Sequence, residues 1–307
     1  MKTIEGIVPV MLTPFTPDDR IDYPGLKKLI EWYLTQGVDA LFAVCQSSEM
    51  QFLSLQERVE LARFVVAEVN GRVPVIASGH ISDDLAQQKE ELLAMAASGI
   101  DALVLVTNHL DPQNQGSEVF YHTLNALLEA LPASLPLGLY ECPAPYRRLL
   151  SDDEFRFCAQ SGRFVVLKDV SCDLATVQRR VELAKGTPLN VINANAAIAW
   201  PAMQAGSRGF SGVFTNFHPE LYHWLYHHGA SQAEKAHELS LFLSLAAVTE
   251  TLGYPKNAKI YHQRLGTFAS DRCRVNKDDV LEKFWGLGVL LQQIEQGTAI
   301  WQKRIGE

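Results

Sequence analysis

The chain has 307 residues, 47% hydrophobic and 20% charged, and its 35 acidic against 27 basic side chains leave a net charge of −8. This composition describes a folded chain with a sizeable core and excludes a disordered or low-complexity one. The acidic balance, without a basic run, excludes an electrostatic footprint for nucleic acid, and no stretch reaches the roughly 18–20 unbroken apolar residues that cross a bilayer.

The N-terminal MKTIEGIVPVMLTPF holds one early lysine, an acid and two prolines, which fits neither a signal peptide nor an anchor, so a cytoplasmic protein is expected. Within it the first apolar run, GIVPVML (6–12), contains Pro9, which cannot donate to a strand ladder and limits the length of that strand. Seven further runs follow: ALFAVC (40–45), VPVIASG (73–79), ALVLVT (102–107), PLGLYE (136–141), FVVLKD (164–169), LNVINA (189–194) and GFSGVF (209–214). Amphipathic segments lie between them, such as SLQERVELARFVVAEV, where Leu55, Val59, Ala62, Val66 and Val69 share one helical face. Ser54 with Glu57 and Ser151 with Glu154 form capping boxes that announce two of these helices. Strands apolar on both faces, alternating with helices, imply a parallel sheet, and eight such units imply a closed (β/α)8 barrel, with an open doubly wound sheet as the alternative.

After residue 215 the pattern becomes helical only, with helices expected near 218–228, 231–252, 256–265 and 277–296 and a break at GYPKN. The expected division is a barrel core over 1–217 and a helical C-terminal region over 218–307 packed on it. The five cysteines are odd in number, scattered and never spaced as C-x-x-C, which reads as reduced thiols rather than disulfides or a zinc site.

A barrel of this kind assembles its site at the C-terminal ends of the strands. Lys168 ends the sixth run after three apolar residues, where burial disfavours the ammonium. At an ordinary lysine pKa of about 10.4 only about one amine in a thousand is neutral at pH 7.4, so a lowered value makes it a nucleophile for a carbonyl. The alternative is a structural ion pair with Asp169 or another acid. Tyr140 ends the neighbouring fifth run, where its phenol could shuttle protons or simply pack.

YECP after the fifth strand, VVLKD at the sixth, MLTPF at the first, a Ser/Thr-rich segment ending in Glu49 after the second, and the late YPKNAK together resemble the dihydrodipicolinate synthase and N-acetylneuraminate lyase family. The resemblance implies a class I Schiff-base lyase, an aldolase or dehydratase. Its substrate would be pyruvate or another 2-oxo (2-keto-3-deoxy) acid, handled without a cofactor or metal by a homo-oligomer, a tetramer or dimer. It implies Lys168 as the imine-forming amine and Tyr140 as the proton relay, with Gln46, Ser47, Asn195 and Ser211 binding substrate.

The chain also departs from the family pattern. Cys45-Gln46-Ser47-Ser48-Glu49 stands where a Gly-Ser/Thr-Thr-Gly-Glu segment usually holds the keto acid carboxylate. Pro145 stands where the synthases carry an arginine, with Arg147 and Arg148 further on, and Leu110 replaces an aromatic of the fourth-strand loop, where His109 could substitute. Asn195 is the one polar side chain in the loop after the seventh strand, which leaves a polyol tail few partners, and Ser211 replaces an aliphatic residue close to the expected imine. Two other classes of function stay open. One is a metal-dependent lyase using Glu49, His80, His109 and Asp169; the other is a non-catalytic keto-acid-binding paralogue. Glu220, His223 and His227 could ligate zinc, but with Tyr222, Trp224 and Tyr226 interleaved they read as a packed or intersubunit face.

Overall fold

The computed structural model describes residues 3–306; Met1, Lys2 and Glu307, the outermost ends of the two expected regions, lie outside it. Eight short strands follow one another as β1 (Gly6–Ile7), β2 (Leu41–Val44), β3 (Val75–Ala77), β4 (Ala102–Val106), β5 (Leu137–Tyr140), β6 (Phe164–Asp169), β7 (Asn190–Asn193) and β8 (Gly209–Phe210). They pair in the order β1-β8-β7-β6-β5-β4-β3-β2, every pairing parallel. Val10, just beyond β1, bridges Phe42 of β2 and closes the ring. Pro9 fits this seam because the bonds there use its carbonyl: Phe42 N–H donates to Pro9 at 2.9 Å and Met11 N–H donates to Phe42 at 3.1 Å. The missing N–H leaves β1 only two residues long without opening the barrel.

Each strand is followed by a helix that buries its apolar stripe on the sheet, and the two capping boxes start theirs as expected. Ser54 accepts from Glu57 N–H while Glu57 accepts from Ser54 N–H, and Ser151 and Glu154 do the same. Helix Pro219–His228 packs against β1, so by packing the eighth βα unit runs to His228. Val8, Phe42, Ile76, Val104, Leu139, Val166 and Ile192 fill the barrel so well that only a void of about 10 Å³ remains among them. The interior is therefore a packed floor, and a cavity of about 500 Å³ opens above it at the C-terminal ends of the strands.

Beyond His228 the tail comprises helices Ala233–Ala246, Lys256–Arg264, Val280–Lys283 and Leu287–Gly306. The last two differ from the single helix expected over 277–296. Trp285 and Gly286 break the helix, since glycine costs about 1 kcal/mol relative to alanine in a helix interior. The last helix runs past the expected end at 296 through Gly297, where a Cβ would come within 2.5 Å of the Phe242 ring. Among the described residues no helix is long and apolar enough to cross a membrane, and all five cysteines are free.

Candidate active site

Side chains alternate along β6, and that alternation decides the fate of its two terminal charges. Asp169 points to the helix side, where the buried Arg180 of helix Leu174–Leu183 takes it in a short ion pair together with Glu141, at 2.5 Å from the latter. Glu141 also accepts from Leu150 N–H and Val170 N–H, at 2.8 and 3.1 Å. This network fastens the ends of β5 and β6 to the helix layer and consumes both acids. Lys168 points the other way, into the barrel mouth, and is 8% exposed.

Among the described residues Lys168 makes no ion pair. Its Nζ stands 4.3 Å from the centre of the Tyr140 ring and 5.8 Å from that of Phe42, and the aromatic faces are its nearest electrostatic support. Burial pushes its pKa down, opposed by the Cys45 and Cys142 thiols and by Glu250. Among the described residues the one other buried lysine shows the contrast. Lys259, of the C-terminal helix Lys256–Arg264, is ion-paired with Glu49 and donates to the Arg272 carbonyl at 2.8 Å. Burial without an ion pair disfavours the ammonium form, which is the position of Lys168.

Tyr140 lies beside Lys168 in the β5–β6 register. Its hydroxyl donates to Gln46 Oε1 at 3.4 Å, and burial, with the neighbouring Cys142 and Cys45 thiols adding to it, pushes its pKa well above the ordinary range. It therefore remains a neutral phenol. Gln46, Ser47 and Ser48 form a single 3-10 turn after β2, anchored by mutual hydrogen bonds between the Ser48 hydroxyl and the Cys45 backbone. Glu49 ends it in the left-handed region at φ 61°, held there by Lys259 and by the N–H groups of Arg274 and Val275 at 2.6 and 2.8 Å. As the first residue of the turn, Gln46 has no partner for its N–H within it, while the Ser47 N–H faces the Cys45 thiol.

Lys168, Tyr140, Gln46, Ser47 and Asn195 all line the 500 Å³ cavity. Asn195 spends its Oδ1 on Ala197 N–H at 2.9 Å, which leaves its amide N–H groups as donors. Ser211 is placed differently. With Lys168 it lines the inner void beneath the cavity, and its hydroxyl donates to the Val8 carbonyl at 2.7 Å.

Tyr254 and Glu250, which were not singled out from the sequence, reach the cavity from the tail. Tyr254, at the GYPKN break, receives a hydrogen bond from Asn216 Nδ2 at 3.1 Å, and a bond with Ser47 moderates the rise in its pKa that burial causes. Glu250 projects into the open cavity; surrounding protein pushes its carboxyl pKa up, opposed by Lys168. The remaining wall is largely apolar, with Phe52, Pro143, Ala144, Val170, Ala194, Ala196, Ala197, Val213, Val248 and Val275, and Gln51 and Ser244 add polar side chains to it.

The four groups weighed as metal ligands do not converge. Glu49 and Asp169 are in ion pairs, His109 Nδ1 lies 2.9 Å from Asp83, and His80 accepts from Val106 N–H at 2.6 Å while facing Gln88. Burial, with His109 adding to it, lowers the His80 pKa to about 3, so it is a neutral structural ring. His109, bonded to Asp83, is not among the residues lining the cavity and does not reach the proton relay.

The sequence model described as the dihydrodipicolinate synthetase family matches residues 3–276 of the chain. The chain belongs to this family. Curated relatives include 4-hydroxy-tetrahydrodipicolinate synthases of Bacillus subtilis, 31% identical over 66% of this chain and 68% of the relative, and of Nitrosococcus oceani, 29% identical over 71% and 73%. Among solved structures, dihydrodipicolinate synthase from Bacillus anthracis superposes with a TM-score of 0.85 at 24% identity, covering 96% of this chain and 99% of that one. The pyruvate complex of the Acinetobacter baumannii enzyme gives 0.84 at 24% identity, covering 95% and 99%.

Against the dihydrodipicolinate synthetase family pattern, the arginines near the fifth strand are spent elsewhere. Arg147 donates to the Val170 and Ser171 carbonyls at 3.1 and 3.3 Å, and Arg148 is buried between Asp111 and Glu154. Among the described residues no arginine lines the cavity.

Proposed function

We propose that the chain is a Schiff-base lyase in which Lys168 attacks the keto carbon of pyruvate or a related 2-oxo acid and Tyr140 relays the protons. The observation that carries this reading is the buried Lys168 amine, unpaired at the floor of the cavity beside the Tyr140 ring. Attack by the neutral amine gives a carbinolamine; protonation of its hydroxyl, with Tyr140 as the nearest phenol, expels water and leaves an iminium. The iminium accepts the electron pair released when a C3–H or C3–C4 bond breaks, giving the enamine common to aldol cleavage, condensation and dehydration.

The turn N–H of Gln46 and the Ser47 hydroxyl are assigned to the substrate carboxylate, and the Asn195 amide to an oxygen further along the chain. Ser211 is assigned a place beneath Lys168, shaping the approach of the amine. The absence of arginine and the presence of Glu250 disfavour a second carboxylate on the substrate, and the largely apolar wall favours a short, neutral partner carbonyl over a long polyol. Trapping by borohydride in the presence of pyruvate and a panel of 2-keto-3-deoxy acids tests the reading: a reduced adduct on Lys168 supports it.

A binding-only protein is the second reading, favoured by the Gln46 amide that takes the Tyr140 hydroxyl where a family hydroxyl would stand. Keto-acid binding without a trapped adduct would select it. By its family the protein is further proposed to be a cytoplasmic homo-oligomer, dimer or tetramer. Leu241, Leu245 and Val248, which are 53%, 75% and 64% exposed, support a covered face, and light scattering at micromolar concentration reads the assembly state.

A further inference from the structure

At the opposite, N-terminal end of the barrel, His223 and His227 stand one turn apart on helix Pro219–His228, a spacing that puts both rings on the same face. That face meets Asp39, which immediately precedes β2. His227 Nε2 lies 3.2 Å from Asp39 Oδ1 and His223 Nδ1 lies 3.6 Å from Asp39 Oδ2. One ligand atom from each of the three residues falls within 4.8 Å of the others. Glu220, the acid that the sequence associates with these histidines, turns away to receive a hydrogen bond from Gln302 at 2.9 Å.

We infer that Asp39, His223 and His227 form a binding site for a zinc-class divalent cation that ties the last barrel helix to the seam between β1 and β2. Zinc holds imidazole nitrogen and carboxylate oxygen at about 2.0–2.2 Å, so tetrahedral ligand atoms sit roughly 3.4 Å apart. The two carboxylate-to-imidazole separations already bracket that spacing, and the histidine nitrogens need close only modestly.

Three features suit the carboxylate and rings to a cation. Asp39 Oδ2 accepts from Ile7 N–H at 2.7 Å, which fixes the carboxylate as supporting bonds do around metal centres. His223 Nδ1 is buried without a hydrogen-bond partner while facing that anion beyond hydrogen-bond length, an arrangement an intervening cation satisfies. The histidine side chains are 31% and 37% exposed, which leaves a fourth position for water.

This inference is independent of the lysine chemistry, and its test does not use activity. The full chain, stripped with a chelator, is titrated with zinc in a calorimeter and melted with and without the ion. One equivalent is expected to bind, and zinc at about a hundredfold excess over its dissociation constant should raise the melting temperature by about 5 °C. The His223→Ala/His227→Ala double variant should lose both effects. As a check that needs no variant, cobalt loaded in place of zinc should give the visible absorption of a tetrahedral nitrogen–oxygen site. Absence of zinc uptake, undiminished uptake in the double variant, or cobalt without those bands would each overturn the proposal.

Discussion

Replacing Lys168 by methionine should make the protein inactive and more stable. The lysine is 8% exposed, makes no ion pair among the described residues, and is supported chiefly by the Tyr140 ring at 4.3 Å. Leaving a buried polar group without partners costs about 1–3 kcal/mol, more when it is charged, and a cation–π contact returns about 0.5–2 kcal/mol. A methionine of similar length removes the cost and keeps the packing, for a net gain of about 1 kcal/mol at neutral pH. In a chain of this size that corresponds to a rise in melting temperature of about 1.5 °C.

The pH dependence carries a definite sign. Burial lowers the folded-state pKa below the ordinary 10.5, so the folded protein binds fewer protons than the unfolded chain. The destabilisation by Lys168 is therefore complete below the folded-state pKa, shrinks as pH rises toward 10.5, and vanishes above it. The assay is urea unfolding of both proteins at several pH values from 7 upward to the alkaline limit of the fold. A methionine variant that is less stable at pH 7, or a stability difference that does not narrow with rising pH, would refute the reasoning.

Four further outcomes follow from the same geometry. Tyr140→Phe should slow turnover by about 10²- to 10⁴-fold, read by steady-state kinetics, while leaving pyruvate binding within a few fold. Glu250→Gln removes a carboxylate that favours the Lys168 ammonium, so the rise of imine formation with pH should move to lower pH; stopped-flow trapping reads the shift. Arg180→Met leaves Glu141 and Asp169 buried without their cation and should cost about 3–5 kcal/mol in chemical unfolding. Between pyruvate aldol acceptors of equal size, a neutral aldehyde should be used in preference to one bearing a carboxylate, because the cavity offers no arginine and contains Glu250.

The barrel was legible because its strands are buried on both faces and its helices carry one apolar stripe, so the two periods separate cleanly along the chain. Lys168 and Tyr140 were legible because an inward-facing polar residue near the end of such a strand emerges at the barrel mouth. What the sequence withheld was direction and long-range pairing. Ser211 and Lys168 both end strands, yet Ser211 bonds the Val8 carbonyl inside the barrel, a distinction that depends on strand tilt. Arg180 reads as an ordinary charge on an amphipathic helix, and only the fold brings it to Glu141 and Asp169. Glu49 and Lys259 are 210 positions apart, and Glu250 and Tyr254 reach the cavity from a tail whose packing no local pattern specifies.

The account rests on a neutral amine at Lys168 that condenses with a ketone. Its most direct test is borohydride reduction in the presence of pyruvate, followed by peptide mass spectrometry. One reduced adduct per chain, located on Lys168 and absent from Lys168→Met, is the predicted result. An unmodified Lys168 after reduction with pyruvate and with longer 2-oxo acids, or an adduct located on another lysine, would contradict it.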